Sequence, residues 1–164
     1  MPCWTRYLTR VAISGTTASL TTSIGLAIAA RCEGKSPWQP LNATAHWHHG
    51  DAAATITHPD LPHTGIGYAT NHAATLFWAA FYEAWLARAG KPLSTFGLLW
   101  RAAVVSAFAV VADYRATPKR FTPGWELVLT KPGMTGAYIA MALGLAAGAR
   151  LTHARTADIT VDAE

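Results

Sequence analysis

Seven side chains between residues 46 and 63 could hold a metal or move a proton: His46, His48, His49, Asp51, His58, Asp60 and His63. With His72, this stretch carries six of the chain's seven histidines. Neutral imidazoles and carboxylates are donors that zinc, iron, copper or nickel accept. Imidazole also titrates near neutrality, so the same residues could exchange protons or sense pH. The spacing follows no known ligand pattern: there is no HExxH, and no cysteine pair stands beside the histidines. His46 and His48 would share one side of a strand but not one face of a helix. The plainer reading is an interfacial loop, since Trp38 and Trp47 beside the cluster suit a membrane–water boundary.

Four further ionisable residues lie inside apolar sequence. His72 and Glu83 are eleven residues apart, which returns them almost to one helical face about 16 Å apart along the axis. Ionisable groups in lipid are costly, so such residues face the interior of a bundle or reach out to the interface. Glu83 is expected at the interface near Arg88, and His72 to hydrogen-bond another helix. Arg101 and Asp113 are expected near the ends of their helix, and Asp113, Arg115, Lys119, Arg120 and Glu126 in a charged interfacial loop, with a salt-bridged rim as the alternative. The metal or proton site these residues would build takes His46, His48, His49, His72 and Asp113 on one face, and a transition metal is the one cofactor it implies. Other chemistries are absent: the chain has no GxSxG, no GxxxxGK[ST] and no GxGxxG after a strand. Asn42 opens a formal glycosylation sequon, NAT.

The elements that would position these groups are apolar helices. The chain has 164 residues, 51% of them hydrophobic and 13% charged, against about 25% charged in an ordinary soluble protein. Crossing the hydrocarbon core takes about 20 mainly apolar residues, and four stretches qualify: 11–30, 65–87, 93–114 and 132–149. The polar residues collect in a loop at 31–64. The fold expected is therefore all-α, a polytopic four-helix membrane bundle forming one domain over 1–164, with a disordered tail at 151–164. A soluble helical domain with an alanine-rich core is the alternative. The first stretch also carries Arg6, Arg10 and AIAA, as a cleaved signal would, but its 20 residues exceed a usual signal core of about 7–15. A retained helix is the reading taken.

Small residues recur every fourth position, as Gly136, Ala140, Gly144, Gly148 and as Gly15, Ser19, Ser23, Ala27. Both series are expected to be close-packing surfaces, against each other. The net charge of +4 comes as single or paired basic residues beside apolar runs, the membrane pattern, so nucleic acid is not an expected partner. The two ends of the bundle carry six basic residues each, Arg101 aside, and leave the orientation open. Cys3 and Cys32 flank the first helix, too far apart for a disulfide.

The segments NATAHWHHGDAA, HTGIGYATNHAATLFWAAFYE and VADYRATPKRFTPGWE resemble small bacterial membrane proteins of uncharacterised activity. The resemblance rests on Asn42-Ala43-Thr44, His46-Trp47, Gly67-Tyr68, His72 with Phe77-Trp78, and Asp113-Tyr114-Arg115 with Pro118. A helical His72 followed by FWAAFYE is similar to the YagU-like inner-membrane family. That likeness implies a multi-pass protein of the bacterial inner membrane and supplies no catalytic residue. The expected role is structural or accessory, among membrane lipid and with a second copy or another membrane protein as partner. The alternatives are a membrane enzyme or carrier built on the histidines and carboxylates, and a small transporter or channel subunit that would have to oligomerise.

Overall fold

A computed structural model describes residues 3–89 and 93–161, with side chains described as far as His153. Six α-helices occur among them, and no strand: α1 (Cys3–Cys32), α2 (Gln39–Thr44), α3 (His46–His49), α4 (Ile66–Ala87), α5 (Thr95–Val111) and α6 (Lys131–Val161). Helix α5 runs on through a wide turn at Ala112–Ala116. Among the described residues, three segments are long and apolar enough to cross a membrane: Cys3–Cys32, Thr95–Ala116 and Lys131–His153. The expected span at 65–87 is a helix of sufficient length, yet Asn71, His72, Glu83 and its tyrosines leave it short of that apolarity. Helix α6 continues past its expected end at 149 to Val161, so the backbone of 151–161 is helical where a disordered tail was expected.

Neighbouring long helices run antiparallel. Ser14 meets Glu83 and Ser19 meets Asn71 across α1–α4, Ser106 donates to the Tyr138 carbonyl across α5–α6, and Tyr82 donates to the Leu98 carbonyl across α4–α5. Helix α1 packs most extensively on α6, and the contact of α4 with its chain neighbour α5 is much thinner than its contact with α1. Small residues explain the first contact. A Cβ on Gly144 would stand 2.6 Å from Ala18 Cα, and one on Gly148 2.5 Å from Ser14 Cα, so only glycine lets the backbones approach this closely. The two small-residue series do not pack on each other as expected. The α6 series meets Ser14 and Ala18 of α1, whereas Gly15, Ser19 and Ser23 turn to Leu76 and Asn71 of α4. Helix α1 thus uses two small faces, one for each neighbour.

The many hydroxyls of α1 are satisfied within the helix, because its side chains bond backward to carbonyls. Thr17 donates to Ile13, Thr22 to Ala18 and Ser23 to Ser19, at 2.7–2.8 Å, which leaves few hydroxyls in want of water.

Residues 31–64 are not a wet loop. They fold as α2, α3 and two short turns over one end of the long helices, with Asn42, Ala43 and Ala45 wholly buried. Asn42 is the hub: its amide donates to the carbonyls of Ile56 (2.8 Å) and His58 (3.0 Å), and its carbonyl accepts from Thr64 (2.5 Å). Burial of Asn42 also closes the sequon. The α5–α6 connection completes this lid, tied down where Trp125 Nε1 donates to Thr44 Oγ1 and where the Glu33 carboxylate accepts from Thr130 N–H and O–H. The periodicity missed these elements because helices of six and four residues carry no repeat to detect.

Candidate functional site

The lid separates the histidines instead of converging them. His46 is buried, with Nε2 donating to the Thr122 carbonyl at 2.9 Å and Nδ1 lying 3.4 Å from Asp51. His48, His49 and His58 are exposed. His63 binds Asp60 at 2.8 Å and its ring lies 4.7 Å from that of His49. The His63 side chain, by hydrogen bonding, holds the Asp60 carboxyl below the usual carboxylate range. The Thr130 hydroxyl does the same for Glu33. His72 lies within α4 stacked on Tyr68 at 5.9 Å, and its buried Nδ1 has no partner, contrary to the expected bond to another helix.

Asp113 stands apart from all of these and accepts a 2.5 Å hydrogen bond from Tyr138. Among the described residues, no three His, Cys, Asp or Glu side chains are grouped so as to hold a metal ion. The set His46, His48, His49, His72 and Asp113 is therefore not brought together. The salt-bridged rim is likewise replaced by other contacts. Glu126 accepts from Tyr114 at 3.2 Å and from Thr122, and Arg120 reaches the Trp47 carbonyl at 3.4 Å. Among the described residues, no ion pair joins Asp113, Arg115, Lys119, Arg120 or Glu126.

The ionisable group the fold does gather in is Glu83. It is 1% exposed, not interfacial as expected. Ser14 donates to its Oε1 at 2.6 Å and His153 Nε2 to its Oε2 at 3.0 Å. These partners come from α1 and α6, so one carboxylate joins three helices. It continues a polar seam, because Asn71, Thr75 and Glu83 fall on the buried face of α4 opposite the hydroxyls of α1. Arg101, at the same end, lies 5.4 Å from the Trp85 ring and donates to the Gly97 carbonyl. Sequence reasoning missed His153 because it is the one histidine outside the cluster and lies 70 positions from Glu83.

A second site opens between α4 and α5, where their contact is thin. Near the lid, a cavity of about 420 Å³ is lined by Asn71, Trp78, Asp113, Trp47, Trp125 and Tyr138, among others. A groove of about 370 Å³ adjoins it on the outside of the helices, lined by Phe81 and Phe108 among others, and shares Trp78 and Ala112 with the cavity. Asp113, expected to be a metal ligand, is here the acidic member of an aromatic wall.

No protein-family model, curated protein or solved structure matches the chain. The functional reading therefore rests on geometry.

Proposed function

We propose that the chain is a four-span protein of the bacterial inner membrane with a structural or accessory role, capped on one face by the folded lid. The observation that carries this reading is the inverted distribution of side chains. Leu20, Ile24 and Ile28 on α1, Phe77 and Phe81 on α4, Trp100 and Phe108 on α5, and Ile139 and Leu143 on α6 all face outward. Ser14, Ser19, Thr22, Asn71, Thr75 and Ser106 fill the interior. A protein surrounded by water does the reverse over so large a continuous surface. The same pattern supports α4 as the fourth span, since its polar residues turn toward α1 and its rings point outward.

The two native cysteines test this. Both are free and exposed, at opposite ends of the 30-residue α1, and the helical rise between them is about 44 Å, more than the roughly 30 Å hydrocarbon core. The protein should stay in the membrane pellet through an alkaline carbonate wash. In intact spheroplasts, a membrane-impermeant maleimide should label Cys32 in Cys3→Ser or Cys3 in Cys32→Ser, but not both. Release by carbonate, or labelling of both variants, overturns the reading; the labelled member fixes the orientation.

A second reading, a carrier or enzyme that handles protons, is supported by the buried carboxylate–histidine contact of Glu83 and His153. It moves the site from the histidine cluster to the opposite end. Proteoliposomes under an imposed pH gradient should then move protons at a rate that falls in Glu83→Gln. An unchanged rate in the variant removes this reading.

A further inference from the structure

We propose that the α4–α5 cavity binds an organic cation with an apolar tail, its ammonium group beside Asp113 and its tail in the groove between Phe81 and Phe108. The first argument is charge. Asp113 is half-buried on the cavity wall, its only hydrogen-bond donor among the described residues is Tyr138, and no ion pair neutralises it there. No lysine or arginine lines the cavity. Arg120 grips the Trp47 carbonyl and is not part of the wall. A carboxylate facing an apolar space is stabilised by a cation and repels an anion.

The second argument is the character of the remaining wall. Trp47, Trp78, Trp125, Phe77, Phe121 and Tyr138 surround the space. The indole N–H groups of Trp47 and Trp125 are already given to the Thr122 carbonyl and the Thr44 hydroxyl. What these two rings can offer a ligand is π surface, which attracts ammonium groups. The third argument is adjacency: the cavity shares Trp78 and Ala112, the neighbour of Asp113, with a groove otherwise lined by Phe81, Val105, Phe108 and Val111, all apolar. A neutral hydrocarbon would use the groove and leave the carboxylate unpaired; a small inorganic cation would leave the groove unused. An amphiphilic cation uses both.

The inference rests on the membrane reading for its route of entry, sideways between α4 and α5. Its ligand chemistry has two sources, an ammonium-headed lipid or a free lipophilic cation. The test is a titration of the full chain in lipid nanodiscs with octyltrimethylammonium and, separately, octanol, followed by tryptophan fluorescence. Wild type should bind the cation at least ~10-fold more tightly than the alcohol, and Asp113→Asn should bring the two within ~3-fold. Asparagine still accepts the Tyr138 hydroxyl, so the fold is kept. Tyr138→Phe, which frees Asp113 from its one donor, should preserve the preference. Equal binding of cation and alcohol by wild type, or the same preference in Asp113→Asn, overturns the proposal. In discs of phosphatidylethanolamine rather than phosphatidylglycerol, an Asp113-dependent weakening of the probe identifies the lipid headgroup as occupant, and its absence identifies the free cation. Loss of the cation preference leaves the carbonate and maleimide results untouched; if those fail instead, the titration is run on the soluble protein.

Discussion

Five of the chain's histidines are crowded into the lid between residues 46 and 63, where His46 alone is buried and His48, His49 and His58 stand in solvent. The opposite end offers a single histidine, His153, yet it meets a fully buried carboxylate held by three helices. The difference shows that density along the chain is a poor guide to convergence in space. His46 and His48, two positions apart on a short helix, point different ways. Residues 69 or 70 positions apart meet when antiparallel helices place them at the same depth, as Ser14, Glu83 and His153 are. Removal of side chains at the two ends should therefore have unequal consequences.

The largest effect is expected at Glu83. Glu83→Ala takes away the buried acceptor of both Ser14 and His153 and should lower stability by about 3 kcal/mol, read as denaturation in detergent. Glu83→Gln keeps an acceptor for Ser14 and should lose clearly less. A double-mutant cycle with His153→Ala should return a coupling of about 1–2 kcal/mol. If Glu83→Ala unfolds at the wild-type midpoint, the cluster does not join the three helices and the contrast between the ends collapses.

How much of this was legible follows from where the contacts come from. The helices at 66–87 and 95–111 lie within a few residues of the apolar stretches, because a long, mostly apolar run without proline or clustered charge satisfies its backbone most simply as a helix. Helix α1 begins at Cys3, well before the apolar run at 11, since Arg6 and Arg10 interrupt hydropathy without breaking a helix. The lid was invisible: its burial depends on Asn42 bonding backbone carbonyls 14 and 16 positions away. Glu83 looked interfacial because Arg88 is near it in sequence, while its partners lie in other helices. Asp113 has aromatic rings for neighbours and not the histidines expected beside it, because those rings come from distant parts of the chain.

Within the lid, His46 is the exception that sharpens the comparison. It is 6% exposed and bonds the Thr122 carbonyl, which also accepts from Trp47. His46→Ala leaves that carbonyl one partner but opens a gap, so a loss of about 1–2 kcal/mol is expected. The triple variant His48→Ala, His49→Ala, His58→Ala should stay within about 0.5 kcal/mol of wild type, because these side chains are exposed. A larger loss in the triple variant than in His46→Ala would show that the surface histidines hold the lid together.

The smallest effect expected is a local one, in acid. The Asp60 carboxylate accepts from the His63 side chain (2.8 Å) and from its backbone N–H (2.6 Å), and its folded pKa is lowered by that contact. A group depressed in the folded state contributes stability above its unfolded pKa, about 3.9 for Asp, and loses it as pH falls through the folded value. The Asp60 contribution should therefore be intact at pH 5 and fade below about pH 4, seen as faster hydrogen exchange at residues 60–65 with the long helices still protected. Asp60→Asn should remove that acid step, since an amide has no charge to neutralise. An acid step of full size in Asp60→Asn would place its cause elsewhere in the lid, with Glu33, which clasps Thr130 and is also depressed, as the next carboxylate to replace.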